Sequence, residues 1–291
     1  MSEQDTLRRF LFENAGVRGE WVRLEKSWQQ AKKFQLCVND AVESQLGQAL
    51  AAVTLLSATI KFKGSMILQL QGNGALKAIV AQASDDRKVR CLVRSEESVN
   101  PGTLKQMMGE GHLVLTIESD ISEPYQGIVA LEQDTLADLL TTYFKQSEQL
   151  DTRLWLFANQ TYAVGLLLQE LPDQQDAQKD WERIVMLANT VTEQEMLTLD
   201  CEEMLHRLFH EEQVRLFEPE PVEFSCHCSK QKISETLLSL GKDELTQLLQ
   251  EQQTVTVGCQ FCGRNYSFSQ DDIQALLDDL DAMNENNFTR H

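Results

Sequence analysis

Cys226-His227-Cys228 and Cys259-Gln260-Phe261-Cys262 are the residues of this chain best suited to chemistry. A C-x-C and a C-x-x-C supply four soft sulfur donors from two tight turns, the ligand set of a tetrahedral Zn²⁺. Gly258 and Gly263 flank the second pair and free the backbone for its turn. Metal binding deprotonates thiols, and the thiolate is the form that oxidants attack. The quartet predicts one Zn²⁺ per chain, held by Cys226, Cys228, Cys259 and Cys262. By spacing alone a purely structural zinc ribbon is favoured over an oxidant sensor. Four thiolates fill the coordination sphere and leave no place for a catalytic water. His227 is then expected to be a solvated neighbour and not a ligand.

Other reactive residues form no comparable set. Of the seven cysteines, Cys37, Cys91 and Cys201 lie in or beside apolar runs and read as buried, inert thiols. His112, His206, His210 and His291 complete no metal site; His206 and His210 stand at i, i+4 without a third ligand. Lys63-Gly64-Ser65 lacks the upstream glycine of a phosphate loop and reads as a hairpin turn. No Ser/His/Asp set or carboxylate pair stands out, so the chain is not expected to be an enzyme.

The elements that must position the cysteines follow from capping and periodicity. Ser229 predicts a helix carrying Ile233, Leu237 and Leu238, closed by Gly241. Lys242–Leu249 is a second helix. Thr254–Val257 and Tyr266–Phe268 are strands on either side of the C-x-x-C, and Ser269 caps a last helix with Ile273, Leu276, Leu277 and Leu280. The stretch from Asn284 to His291 is expected to fray. A thioredoxin-type C-x-x-C would open a helix instead.

Upstream, Val17–Leu24 predicts the first strand and Asp40–Ser57 a helix with Val42, Leu46, Ala49, Val53 and Leu56 on one stripe. Strands are expected at Ala58–Phe62, Met66–Gln71, Ala75–Ala81, Val89–Val93, Leu113–Ile117 and Ile128–Leu131. Asp134 is expected to cap a helix over Thr135–Lys145, followed by strands at Arg153–Ala158 and Ala163–Gln169. Strands outnumber crossover helices, so the fold class is α+β: an N-terminal, mainly antiparallel sheet packed with helices, a helical linker, and a small C-terminal zinc-binding module. The boundaries are 1–171, 172–225 and 226–291. After Pro172 the chain turns polar and acidic through Asp180. Trp181, Ile184, Val185, Ala188 and Val191 then share a helical face. Thr192 to Glu195 reads as a capping box and Asp200 with Glu203 as a variant of it, leading into Met204, Leu205, Leu208 and Phe209. Helices this short need a surface to dock on, so the linker is expected to be conditionally ordered. Glu218-Pro219-Glu220-Pro221 is expected to break the chain before the cysteines.

The 26 Lys and Arg against 45 Asp and Glu set a net charge of −19, without the basic footprint a nucleic-acid binder needs. No apolar run suffices to span a membrane. The polar start, Met1-Ser2-Glu3-Gln4-Asp5, lacks signal-peptide features, so a cytoplasmic location is expected.

Across nearly its whole length the chain resembles the heat-shock protein 33 family of bacterial redox-regulated holdase chaperones. The likeness is carried by Arg9-Phe10, Val17-Arg18-Gly19-Glu20, Ile60-Lys61-Phe62-Lys63-Gly64, Gln71-Gly72-Asn73-Gly74 and Thr116-Ile117-Glu118. It continues in Pro124-Tyr125-Gln126-Gly127, Tyr143-Phe144 with Ser147-Glu148-Gln149, Leu208-Phe209-His210-Glu211-Glu212 and the two cysteine motifs with Tyr266 and Phe268. Asp151 and Lys230 stand where the family often has proline and arginine; neither is a ligand.

The resemblance implies a zinc-bound, inactive reduced form. It implies that oxidation closes Cys226–Cys228 and Cys259–Cys262, releases the metal and unfolds the zinc module with the linker. Apolar surface then captures unfolded or partly folded client proteins without ATP, and oxidised chains form homodimers. Trp181, Ile184, Val185, Leu205, Leu208 and Phe209 are the candidate client or docking surface. No nucleic-acid or membrane partner is expected. The alternative is a constitutive zinc-ribbon interaction module without redox switching.

Overall fold

The computed structural model describes residues 4–119, 123–171, 177–251 and 254–278. The chain divides into two units, Met1–Ser225 and Cys226–His291.

In the first unit the order is β1 (Thr6–Phe12), β2 (Val17–Leu24), α1 (Lys26–Lys32), α2 (Asp40–Thr59), β3 (Gly64–Gly72), β4 (Leu76–Ser84), β5 (Lys88–Ser95), α3 (Leu104–Met108), β6 (Gly111–Ser119), β7 (Tyr125–Ala130) and α4 (Leu136–Tyr143). There follow β8 (Thr152–Ala158), β9 (Ala163–Glu170), α5 (Ala177–Ala188), α6 (Glu193–Thr198), α7 (Cys201–Phe209), β10 (Val214–Leu216), β11 (Glu220–Pro221) and β12 (Glu223–Phe224). One sheet has the order β10-β1-β2-β9-β8, with β11 also on β1; the other runs β12-β5-β4-β3-β6-β7. The long pairings are antiparallel, and the two-residue β12 joins β5 in parallel.

Both sheets bury a face against α2. Asn39 caps that helix by accepting from the Val42 amide; its first turns keep a polar side with Glu43, Ser44 and Gln48, and from Ala49 to Thr59 every residue is buried. Burial on every side over that second half is what a position between two sheets demands. The first sheet is covered on its other face as well, so Ala163–Leu168 of β9 is buried at every residue. Ala163 and Leu167 join the cluster around α2, while Val164, Leu166 and Leu168 join a second cluster with α5, α6 and α7.

Several expectations are corrected. Ala58–Phe62 is not a strand: α2 runs to Thr59, whose hydroxyl bonds back to the Leu56 carbonyl at 2.8 Å. Val17–Leu24 is the second strand; β1 precedes it, its pattern masked by Arg8 and Arg9 among the apolar residues. Thr135, not Asp134, caps α4, accepting from the Asp138 amide at 3.1 Å. Asp134 instead accepts from the Thr103 hydroxyl at 3.0 Å. The helix expected to Lys145 ends at Tyr143 and passes into a π-helical turn, Phe144–Glu148. Gly64 and Ser65 open β3 and are not a hairpin turn.

Glu218 to Pro221 does not simply break the chain. The Phe217 amide bonds to the Arg9 carbonyl at 2.9 Å, and Glu220 and Pro221 pair with β1. Val222 is buried in the α2 cluster. The Ser225 amide bonds to the Val89 carbonyl at 3.1 Å. This strap is stitched to one edge of each sheet up to the residue before Cys226. Proline hid it, since a proline is tolerated only where no ladder N–H is needed.

The second unit contains α8 (Lys230–Leu238), α9 (Lys242–Glu251), β13 (Thr254–Gly258), β14 (Asn265–Ser269) and a helix over 270–278. Ser229 caps α8 through the Lys232 amide, and Gly241 sits at φ +91° after it. Ser269 caps the last helix in a reciprocal pair with Asp272. Leu237, Leu245, Val255, Phe268, Ile273 and Leu277 form its small core. Leu280, the stretch 284–291 and residues 172–176 of the acidic link lie outside the described residues.

Candidate metal centre

The second unit brings its four motif cysteines together. Their Sγ atoms all lie within 4.8 Å of one another. The gap from Cys226 to Cys259 is 3.7 Å and from Cys228 to Cys262 3.4 Å. A Zn–S bond of ~2.3 Å puts tetrahedral ligands about 3.8 Å apart, so this spacing suits one ion of that size. The four cysteines can hold a metal ion, and the all-sulfur donor set suits zinc.

Each pair is set by a short turn. The Cys259 amide bonds to the Arg264 carbonyl at 2.8 Å, and the Gly263 amide returns to the Cys259 carbonyl at 2.8 Å. Gly263 adopts φ +67°, a left-handed value that a side chain resists. This turn caps the β13–β14 hairpin, where Gly258 pairs with Asn265. The first pair leads into α8 through the Ser229 cap. Lys230, next in sequence, pairs with Asp272 at 2.9 Å. That bond, with those from Ser269, holds the Asp272 carboxyl down to about 2.

Tyr266 on β14 crosses to the first pair. Its hydroxyl lies 3.1 Å from Cys228 Sγ and 2.9 Å from the Cys228 carbonyl. Burial alone would raise the Cys228 thiol, but the Tyr266 hydroxyl and the neighbouring sulfurs bring it down to about 7. Cys262 moves the other way: burial, and then the sulfurs around it, push it up to about 12. Without a cation the cluster favours one thiolate and resists the next, because like charges in a half-buried site oppose each other. A dication would supply the compensation that four thiolates need.

The remaining site candidates are dispersed. His227 is exposed and stands outside the cluster. His206 and His210 are exposed on α7 with ring centroids 6.0 Å apart, and no third ligand joins them among the described residues. Cys91 and Cys201 are buried and Cys37 is half-buried, all in the first unit. Burial pushes the Cys37 thiol up to about 11 and raises Cys91 further.

The candidate client residues are covered in this conformation. Ile184, Leu208 and Phe209 are buried, as are Trp181 and Leu205, and Val185 packs against the same cluster. They lie over Phe10, Phe12 and Trp21 of the first sheet. Phe209 meets Phe12 edge to face at 4.9 Å. The Trp21 indole N–H beneath them is buried without a hydrogen-bond partner, a feature that weakens the docked state by roughly 1–3 kcal/mol.

Sequence reasoning missed Tyr266 as a neighbour of the sulfurs and missed the strap. The one signal for Tyr266 was its place on the strand returning from the C-x-x-C. For the strap no periodic signal exists, since its strands are two or three residues long.

A family model described as Hsp33 protein matches residues 5–269. The 33 kDa chaperonin of Nitrosococcus oceani is 54% identical over 280 residues, covering 95% of this chain and 96% of that protein. The 33 kDa chaperonin of Pseudomonas aeruginosa is 43% identical over 285 residues, covering 95% and 96%. Among solved structures, the 33 kDa chaperonin (heat shock protein 33 homolog) of Thermotoga maritima superposes with a TM-score of 0.80 at 23% identity, covering 94% of this chain and 98% of that one. That likeness extends the agreement to the fold.

Proposed function

The chain belongs to the Hsp33 family, and on that premise we propose that it is a cytoplasmic, non-enzymatic, ATP-independent holdase switched on by oxidation. The observation that carries the reading is the cysteine quartet, four sulfurs within 4.8 Å in a unit with little other core. When bound, Zn²⁺ supplies the charge compensation and about 10 kcal/mol or more of apparent folding energy to so small a unit.

Cys226, Cys228, Cys259 and Cys262 are the proposed ligands. An oxidant such as hypochlorous acid would take two electrons from each pair of thiolates, closing Cys226–Cys228 and Cys259–Cys262 and leaving no thiolate for a cation. This pairing rests on the family resemblance. The 3.7 and 3.4 Å gaps run between the motifs, Cys226 to Cys259 and Cys228 to Cys262, so within-motif closure involves local rearrangement. A ring as small as that of a C-x-C disulfide is readily reduced again, which would make the switch reversible.

Loss of the second unit's fold would next act on the strap, because Ser225 and Cys226 are chain neighbours. Release of the strap and of α5, α6 and α7 would uncover Phe10, Phe12 and Trp21 together with Trp181, Ile184, Val185, Leu205, Leu208 and Phe209. That apolar surface is the proposed site for unfolded clients and for homodimerisation of the oxidised form. No helix among the described residues is long and apolar enough to cross a membrane. The acidic charge of −19 favours solubility while such surface is exposed.

The test is suppression of aggregation of a heat-denatured client, measured before and after hypochlorous acid. Suppression confined to the oxidised protein is expected. Equal activity in both forms favours the constitutive zinc-ribbon reading.

A further inference from the structure

Pro124-Tyr125-Gln126-Gly127, Tyr143-Phe144 with Glu148, and Arg18 take no part in the metal site or the docked helices. The first unit nevertheless gathers Tyr125, Tyr143, Phe144, Glu148 and Arg18 around one cavity of about 210 Å³. Leu56 of α2, Met66 of β3 and Leu115 of β6 contribute apolar walls. The volume exceeds the ~150 Å³ of an engineered cavity that admits benzene.

Arg18 is held in place by neutral acceptors. Its Nε lies 3.1 Å from Gln169 Oε1, and its Nη2 bonds to the same oxygen and to the Thr59 carbonyl at 2.8 Å. Gln169 is 2% exposed and is itself anchored to the Thr152 hydroxyl at 2.8 Å. The guanidinium is therefore pre-oriented by a buried amide and a main-chain carbonyl, both neutral acceptors, and Glu20 acts on it through space.

Glu148 is held just as deliberately. Its Oε1 accepts from the Tyr125 hydroxyl at 2.9 Å and from the Tyr143 hydroxyl at 3.2 Å. Burial, and then the Tyr125 hydroxyl, push the Tyr143 ionisation upward, so it remains a donor. The backbone departs from regular geometry to achieve this. Phe144–Glu148 is a π-helical turn and Gln149 follows at φ +54°. On the facing strand, a Cβ at Gly127 would fall 2.5 Å from the Tyr143 ring. π-turns and left-handed non-glycine residues mark functional positions more often than chance.

We propose that this cavity binds a free apolar α-amino acid. The carboxylate would meet the Arg18 guanidinium at Nη1, the nitrogen left over from the bonds to Gln169 and Thr59, in a charge-assisted hydrogen bond. The ammonium would meet Glu148 among the rings of Tyr125, Tyr143 and Phe144, which attract cations. The side chain would fill the apolar walls. A simple fatty acid leaves Glu148 without a cationic partner, and a simple amine leaves Arg18 without an anionic one; a zwitterion answers both. This site is independent of the cysteine quartet.

The experiment is calorimetric titration of the reduced full-length protein with L-leucine, 4-methylpentanoate, which lacks the amine, and 3-methylbutylamine, which lacks the carboxylate. L-Leucine is expected to bind at roughly millimolar or tighter concentration, with each analogue about tenfold or more weaker. Glu148→Gln, an exposed isosteric change whose folding circular dichroism verifies, is expected to bring L-leucine down to the level of 4-methylpentanoate. Absence of L-leucine binding up to ~10 mM, equal affinity for all three compounds, or unchanged L-leucine affinity in Glu148→Gln each overturns the proposal.

Discussion

The Tyr266 hydroxyl stands 3.1 Å from Cys228 Sγ and 2.9 Å from the carbonyl of the same residue. One phenolic proton is shared between the sulfur and the main chain, so Tyr266 orients the cysteine and also eases negative charge on it. Groups that support metal ligands in this way commonly set affinity by ten- to a hundredfold. Tyr266→Phe keeps the ring in the small core and removes only the hydroxyl. It is expected to weaken zinc binding by about tenfold or more, read by competition with a chromogenic chelator. Wild-type affinity in that variant would assign Tyr266 to packing alone.

Glu20 makes the stability of the first unit pH-dependent. It is 2% exposed, its Oε2 has no hydrogen-bond partner, and burial raises its carboxyl to about 7 despite Arg18, Arg9 and Arg87. An unfolded carboxyl ionises near its ordinary value of 4.5. Between those two values the unfolded chain has released a proton that the folded chain retains, so stability falls as pH rises from 4.5 to about 7 and then levels off. The loss amounts to ~3 kcal/mol. Urea denaturation of Glu20→Gln at pH 4.5 and pH 7.5 should lack this decline. The same slope in both proteins would place the titration elsewhere.

Gly127 is the point where β7 makes room for Tyr143, with 2.5 Å between an added Cβ and that ring. Gly127→Ala is expected to destabilise the first unit by about 1–3 kcal/mol through overpacking. Denaturant midpoints report it. A neutral result would mean that Tyr143 moves aside freely.

Phe209 anchors α7 to β1 through its edge-to-face contact with Phe12 at 4.9 Å. Phe209→Ala removes that ring from a layer already weakened by the unpaired Trp21 N–H. Buried Phe→Ala changes remove about 3–5 kcal/mol. The reduced variant is expected to suppress client aggregation before any oxidant is added, with its zinc retained. Inactivity of the reduced variant alongside a loosened α7 would separate helix release from client binding.

Legibility in the sequence followed the range of the interactions involved. Ser229, Ser269, Thr192 and Asp200 announced their helices because a cap is satisfied within one turn. The cysteine motifs likewise carried their turns with them, and the α+β class followed from strands that outnumber crossover helices. What escaped notice depended on distant partners. β1 pairs with β2, β10 and β11, and its arginines obscured the alternation. The strap is ordered by both sheets rather than by itself. The break in α4 at Tyr143 reflects the Tyr125–Tyr143–Glu148 hydrogen bonds, which no local pattern encodes. The motif around Tyr125 and Tyr143 was visible in the sequence, but only the fold joined it to Arg18.

In the proposed switch, metal loss frees α5, α6, α7 and the strap. Hydrogen exchange over 177–225, measured with zinc content on the same samples before and after hypochlorous acid, tests it directly. Oxidised protein is expected to have lost its zinc, with the amides of α5, α6 and α7 exchanging freely while those of α2 stay protected. Zinc loss with α5, α6 and α7 as protected as in the reduced protein would contradict it.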